Sequence, residues 1–120
     1  MSLPRTAATL VTGPHASARE AAIAARIAPG AFCAVLLEGL PDGQPHLSAS
    51  PTLQVQRIAP ACLCCTGNLV LRVTLNRILR LHPERLYIGV ATTDHLDQLR
   101  SWLQAPPYDQ LLELTPDLHA

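Results

Sequence analysis

Cys62-Leu63-Cys64-Cys65 sets three thiols within four residues, the densest gathering of reactive side chains in the chain. A strand-like stretch, Leu53 to Ile58, runs into it, and Thr66-Gly67-Asn68 follows as a turn and cap for a predicted helix. Thiols at the mouth of a helix feel the positive end of its dipole, which favours thiolate. Thiolate selects soft cations such as Zn²⁺ or Cu⁺ over Mg²⁺ or Ca²⁺, and it also attacks disulfides. The run therefore supports metal binding, thiol redox chemistry or simple burial. Structural zinc sites usually show two separated ligand pairs, whereas this is one tight cluster. A fourth ligand would come from His46, Cys33, water or a thiol of a second copy. Cys33 stands alone in an apolar stretch and reads as a core residue, because a free Cys behaves as a small hydrophobe. His15, His82, His95 and His119 are isolated from other ligand types and read as solvated or helix-end residues. No nucleophile-elbow pattern and no conspicuous carboxylate pair occurs.

A second candidate is the turn Thr12-Gly13-Pro14-His15-Ala16-Ser17-Ala18-Arg19-Glu20. A phosphate-binding loop after a strand carries glycines whose backbone N–H groups approach the phosphates, then Lys, then a Ser or Thr for Mg²⁺. Here only Gly13 remains. Ala16 and Ala18 take the places of later glycines, Arg19 that of Lys, and Glu20 that of the hydroxyl. A carboxylate in the first helical turn opposes a phosphate. Ser17 and Glu20 instead fit a capping box, in which side chains satisfy the helix's own unpaired donors. Gly13 and Arg19 are thus residual phosphate-loop positions, weighed against a purely structural cap.

Composition narrows the classes. The chain has 120 residues, enough for one domain and one modest core. Nine basic residues, all Arg, balance nine acidic ones, so no electrostatic footprint for nucleic acid emerges. The longest apolar run, Ala31 to Leu37, is too short to span a bilayer, and no signal peptide is visible. The expectation is a cytoplasmic protein without nucleic-acid or membrane partners. In a reducing compartment, four unevenly spaced cysteines point to metal, redox or burial rather than a disulfide framework.

The elements alternate. Ala8 to Val11 is a short apolar strand, and Ala18 to Ala28 an Ala-rich helix stopped by Pro29-Gly30. Phe32 to Leu37 is a continuous apolar run, as in a strand buried on both faces. Pro41-Asp42-Gly43 begins a loop, and Leu53 to Ile58 is a more exposed strand. Leu69 to Leu81 is the longest helix, with Leu71, Leu75, Ile78 and Leu79 inward and Arg72, Asn76 and Arg80 outward. Arg85 to Ala91 is a buried strand, Asp94 to Leu103 a helix capped by Asp94, and Gln110 to Leu114 a last strand. Strands alternating with helices give an α/β fold, with a mainly parallel sheet of about five strands flanked by helices.

This order, together with particular residues, resembles the first part of the nucleotide-binding domain of CobW-like P-loop GTPases, a metallochaperone family. The resemblance runs through Thr9-Leu10-Val11-Thr12-Gly13, Ala34-Val35-Leu36-Leu37-Glu38, the Cys62-Leu63-Cys64-Cys65 run before a Leu-rich helix, and Pro83-Glu84-Arg85-Leu86-Tyr87-Ile88. It implies a P-loop NTPase-like fold over residues 1–120, as one truncated domain. Its CxCC element, which the family uses in binding zinc or cobalt, implies Cys62, Cys64 and Cys65 as metal ligands. Against that pattern, Arg19 and Glu20 replace the Walker A Lys and the Mg²⁺-binding hydroxyl, and Gly89 replaces an acidic residue. No Asn-Lys-x-Asp segment that would read guanine follows. Phosphoryl transfer relies on positioning and charge stabilisation by Lys and Mg²⁺, so GTP binding and hydrolysis are not expected. The expected function is a noncatalytic metal-binding or metal-delivery module for Zn or Co. The alternatives are a GTPase-like regulator completed by a partner chain, and a thiol redox protein. A sheet of about five strands leaves an edge exposed, so a homodimer or a protein partner is expected to cover it.

Overall fold

The computed structural model describes residues 5–28, 30–39, 43, 46–58, 69–94 and 96–120. Its elements follow in the order β1 (Thr6–Thr12), α1 (Ala16–Ala24), β2 (Cys33–Glu38), β3 (Leu53–Ile58), α2 (Leu69–Leu79), β4 (Arg85–Gly89), α3 (Leu96–Leu103), α4 (Tyr108–Leu111), β5 (Leu112–Leu114) and β6 (Leu118–His119). The strands pair in parallel in the order β3-β2-β4-β1-β5, with β6 pairing β1 beyond β5. This is the α/β, P-loop NTPase-like arrangement expected from the alternation of elements.

Opposite faces of the sheet bury opposite sets of side chains, as the two-residue period of a strand requires. Ala8, Leu10, Ala34, Leu36, Leu86 and Ile88 face α2, α3 and α4, packing against Leu71, Leu75, Ile78, Leu79, Leu99, Leu103 and Tyr108. Val11, Cys33, Val35, Leu37, Leu53 and Tyr87 face the other way, toward Ile23 of α1 and Leu47 of the β2–β3 connection. All six residues of β2 are buried, which is why its sequence is continuously apolar before Glu38. β3 forms one edge and is partly exposed, as its mixed composition implies.

The chain moves from β1 through β2 to β3 in one direction, with α1 and Leu47 on one face. It returns through β4 to β5 with α2 and α3 on the other. Right-handed crossovers require that exchange of faces when the direction reverses. Because β1 and β4 are neighbours whose outgoing connections diverge, a crevice opens between their carboxyl ends, where open α/β sheets receive ligands.

Several local expectations are corrected. α1 begins at Ala16, two residues early, and its cap is His15, whose Nδ1 accepts from the Ala18 N–H at 3.2 Å. The Ser17–Glu20 capping box is not formed, because Ser17 Oγ meets His46 Nε2 at 2.9 Å and Glu20 turns to β3. α3 begins at Leu96 rather than Asp94, whose N–H is held by Thr92 Oγ1. The segment expected as one strand from Gln110 starts as the last two residues of α4 and becomes β5 only at Leu112. β6, unforeseen, resumes the edge beside β1 after Thr115, whose N–H donates to the Ala8 carbonyl at 2.8 Å. α2 matches its expected inward set, Leu71, Leu75, Ile78 and Leu79. His82 follows it with φ 53°, a left-handed residue that closes the helix before Pro83.

Candidate functional site at the carboxyl edge of the sheet

Gly13 leaves β1 at the mouth of the crevice, and its missing side chain is what the surroundings demand. A Cβ there would lie 2.8 Å from the Ala120 Cβ and 3.1 Å from the Arg19 Cγ. The bare backbone that would approach a phosphate in a phosphate-binding loop is therefore packed against the chain itself. Ala120 is held there by its N–H, which donates to the Thr12 carbonyl at 2.7 Å, and by the short β6 pairing alongside. The Thr12 hydroxyl also bonds His119 Nδ1, so His119, though exposed to solvent as expected, is tied into this strap.

Arg19 faces inward. It is only 6% exposed, and its guanidinium donates to the Gly13 carbonyl at 3.0 Å, closing the turn from within. Glu20, 2% exposed, sits on the next position of α1 and receives both terminal nitrogens of Arg57, at 3.0 and 3.2 Å. This bidentate geometry is the strong form of an ion pair, and its burial makes Glu20 depend on the partly exposed Arg57. Arg57 reaches it from β3, opposite Leu37 of β2 in the register. The position expected to hold the Mg²⁺ hydroxyl thus ties α1 to the sheet edge.

Gly89 ends β4, where the resemblance would place an acidic residue. A Cβ there would meet the Leu37 Cδ2 at 3.0 Å and the Ile23 Cδ1 at 4.0 Å. The space next to Gly89 belongs to the apolar core, where a carboxylate would lose its hydration. Glu38, at the end of β2, is a second buried carboxylate of this edge. Its Oε1 accepts from the Ala91 N–H at 2.8 Å and anchors the loop leaving β4. Val90 N–H donates to the Val11 carbonyl at 2.9 Å, so hydrogen bonds cross the crevice between β1 and β4.

The two classes of sequence-predicted site residues fare differently. Gly13 and Arg19 are brought together, but with each other. Cys62, Cys64 and Cys65 lie outside the described residues, as does the Thr66-Gly67-Asn68 cap, between Ile58 at the carboxyl end of β3 and Leu69 at the start of α2. Among the described residues no group of three His, Cys, Asp or Glu side chains is placed to hold a metal ion. Cys33 is fully buried and begins β2, opposite Leu53. It packs with Val11, Ile23, Val35 and Leu53 on the α1 face of the sheet, as a core residue. Burial pushes its thiol pKa upward, the opposite of an activated thiolate, and a backbone hydrogen bond from Ala28 offsets this only in part.

Sequence reasoning missed Arg57, Glu38 and His119. Arg57 and His119 find partners 37 and 107 residues away, and such pairs carry no local spacing signal. Glu38 gave a weak one, a lone carboxylate closing an otherwise apolar strand. Comparison with protein-family models, with curated proteins and with solved structures yields no match for this chain.

Proposed function

We propose that the protein is a noncatalytic metal-binding or metal-delivery module, carrying Zn²⁺ or Co²⁺ on Cys62, Cys64 and Cys65, built on a scaffold without a working nucleotide switch. The observation that supports it most is the engagement of the nucleotide positions. Arg19 closes on Gly13, Glu20 pairs with Arg57, and Ala120 lies where phosphate would approach. A loop that spends its donor and its carboxylate internally has little left to offer a charged ligand. With that site engaged, the thiol cluster is the remaining concentration of ligand chemistry in the sequence. Three thiolates form a soft donor set, and an incomplete shell suits release to an acceptor better than permanent structural binding. The metal is then cargo.

Elemental analysis tests this on protein purified under reducing conditions without an affinity metal. Near-stoichiometric zinc or cobalt in the wild type, absent from Cys64→Ser, is the expected result. Metal-free wild type that also takes up neither ion on titration overturns the reading.

A further inference from the structure

We propose that the outward ridge of α2 is a docking surface for an acidic, aliphatic-rich segment of a partner protein. Successive helix positions turn by about 100°, so the buried set Leu71, Leu75, Ile78 and Leu79 fixes the opposite face as Leu69, Val73, Asn76, Arg77 and Arg80, with Val70 at its margin. The outward face of a surface helix is ordinarily polar, yet Leu69 is 68% exposed, Val70 49% and Val73 48%. Valine also weakens a helix slightly, so helix propensity does not account for Val70 and Val73 at these exposed positions. The ridge is apolar over its first turns and basic beyond them.

The basic half lacks partners of its own. Residues 69–85 hold four of the nine arginines and a single acidic residue, Glu84. Among the described residues the Arg77 and Arg80 side chains make no hydrogen bond or ion pair. In a chain of zero formal net charge this is a local positive field, and its complement is acidic. At the far end of the ridge a cleft of about 310 Å³ opens between Asn76, Leu79, Arg80, His82 and Leu111. Asn76 Oδ1 accepts the Tyr108 hydroxyl at 3.0 Å, which leaves the Asn76 amide N–H₂ to donate beside the Arg80 guanidinium. Two donors between aliphatic walls suit a carboxylate flanked by aliphatic side chains. A partner segment that places aliphatics on Leu69, Val70 and Val73 and an acid in the cleft satisfies both halves.

Size separates this occupant from a second copy of the chain. A ridge about 16 Å long on a helix about 10 Å wide offers a footprint of roughly 160 Å². That falls far short of the ~800 Å² per partner of a stable complex, and fits a transient contact. The three aliphatics occupy one end only, with no aromatic among them, unlike the long apolar stripe of a helix that lies in a lipid surface.

The test uses fluorescence anisotropy with two labelled synthetic peptides of equal length, one with leucines followed by glutamates and one with lysines in place of the glutamates. The protein variants are Val73→Asp and the double change Arg77→Glu, Arg80→Glu. All these positions are exposed, and far-UV circular dichroism confirms folding. The expected result is salt-sensitive binding of the glutamate peptide alone, weakened about tenfold or more in each variant. Equal binding of both peptides, binding untouched by the variants, or no binding at millimolar concentration overturns the proposal. So does self-association in sedimentation that the double variant abolishes, which assigns the ridge to a second copy. Stronger capture by phosphatidylserine vesicles than by the peptide assigns it to lipid and likewise overturns the proposal.

Discussion

Glu20 shows how one side chain can suit two local readings and follow neither. Its spacing from Ser17 suits a capping box and its place in the turn suits a phosphate-loop position, but it is taken by Arg57 on a strand that lies far along the chain. Glu20→Gln removes the charge and leaves Arg57 beside an uncharged amide. Fully buried pairs lose about 3–5 kcal/mol when one partner goes, and Arg57 retains some solvent access, so a loss of about 1–3 kcal/mol is expected. A urea unfolding midpoint unchanged from wild type would contradict the anchoring role. Cys33 gives a second residue-scale expectation. Its folded thiol titrates above the ordinary value of 9.0 because it is buried, so the folded state keeps a proton that the unfolded chain gives up. Its contribution is complete below pH 9 and declines as pH rises from there toward the folded value. Tyr108, raised chiefly by burial from 10.0, adds a similar decline above pH 10. Stability followed by urea unfolding should therefore fall above about pH 9, with a shallower first limb in Cys33→Ala. A flat profile through that range in the wild type would refute the assignment.

At the scale of elements, legibility followed strength of period. The inward leucines of α2 and the unbroken apolar run of β2 are signals that no tertiary contact needs to supply, and both elements stand where the sequence puts them. The four-residue α4 and two-residue β6 have too few residues for any period, and β6 exists only because β1 lies beside it. The α2 core should behave accordingly. Leu75 is fully buried, so Leu75→Ala is expected to cost about 2–5 kcal/mol of stability, read from chemical unfolding. A loss below about 1 kcal/mol would mean that α2 does not pack as described. At the end of the helix, His82 holds a left-handed backbone that glycine adopts freely. His82→Gly should be more stable by about 0.5–1 kcal/mol in the same assay, and a destabilised variant would show that the His82 ring contributes more than its backbone costs.

At the scale of the whole molecule, the fold class was legible and the order of strands was not. Alternation of strands and helices gives the parallel sheet, whereas β3-β2-β4-β1-β5 depends on which edges pair after the chain has collapsed. That order sets β1 beside β4 and creates a carboxyl-edge crevice. The crevice is crossed by Val90 to Val11 and bordered by Arg19, Glu20, Glu38 and Ala120 in internal contacts. The candidate metal residues were legible as a motif, since clustered thiols are conspicuous in sequence alone, while the closing of the nucleotide positions needed contacts from distant strands. Among the described residues no helix is long and apolar enough to cross a membrane. A protein whose nucleotide positions are closed should show no thermal shift with GTP, GDP or ATP plus Mg²⁺ at millimolar concentration, because a ligand far above its dissociation constant stabilises the native state. A saturable shift of several degrees would reinstate the nucleotide-regulator alternative.

The central claim rests on the thiols, and cobalt reports on them directly. Co²⁺ titrated into reduced apoprotein should saturate near one equivalent with an intense thiolate-to-cobalt absorption band, displaced by Zn²⁺ and lost or strongly reduced in Cys64→Ser. Absence of the band in the wild type, or its survival unchanged in Cys64→Ser, would contradict a metal site at Cys62, Cys64 and Cys65.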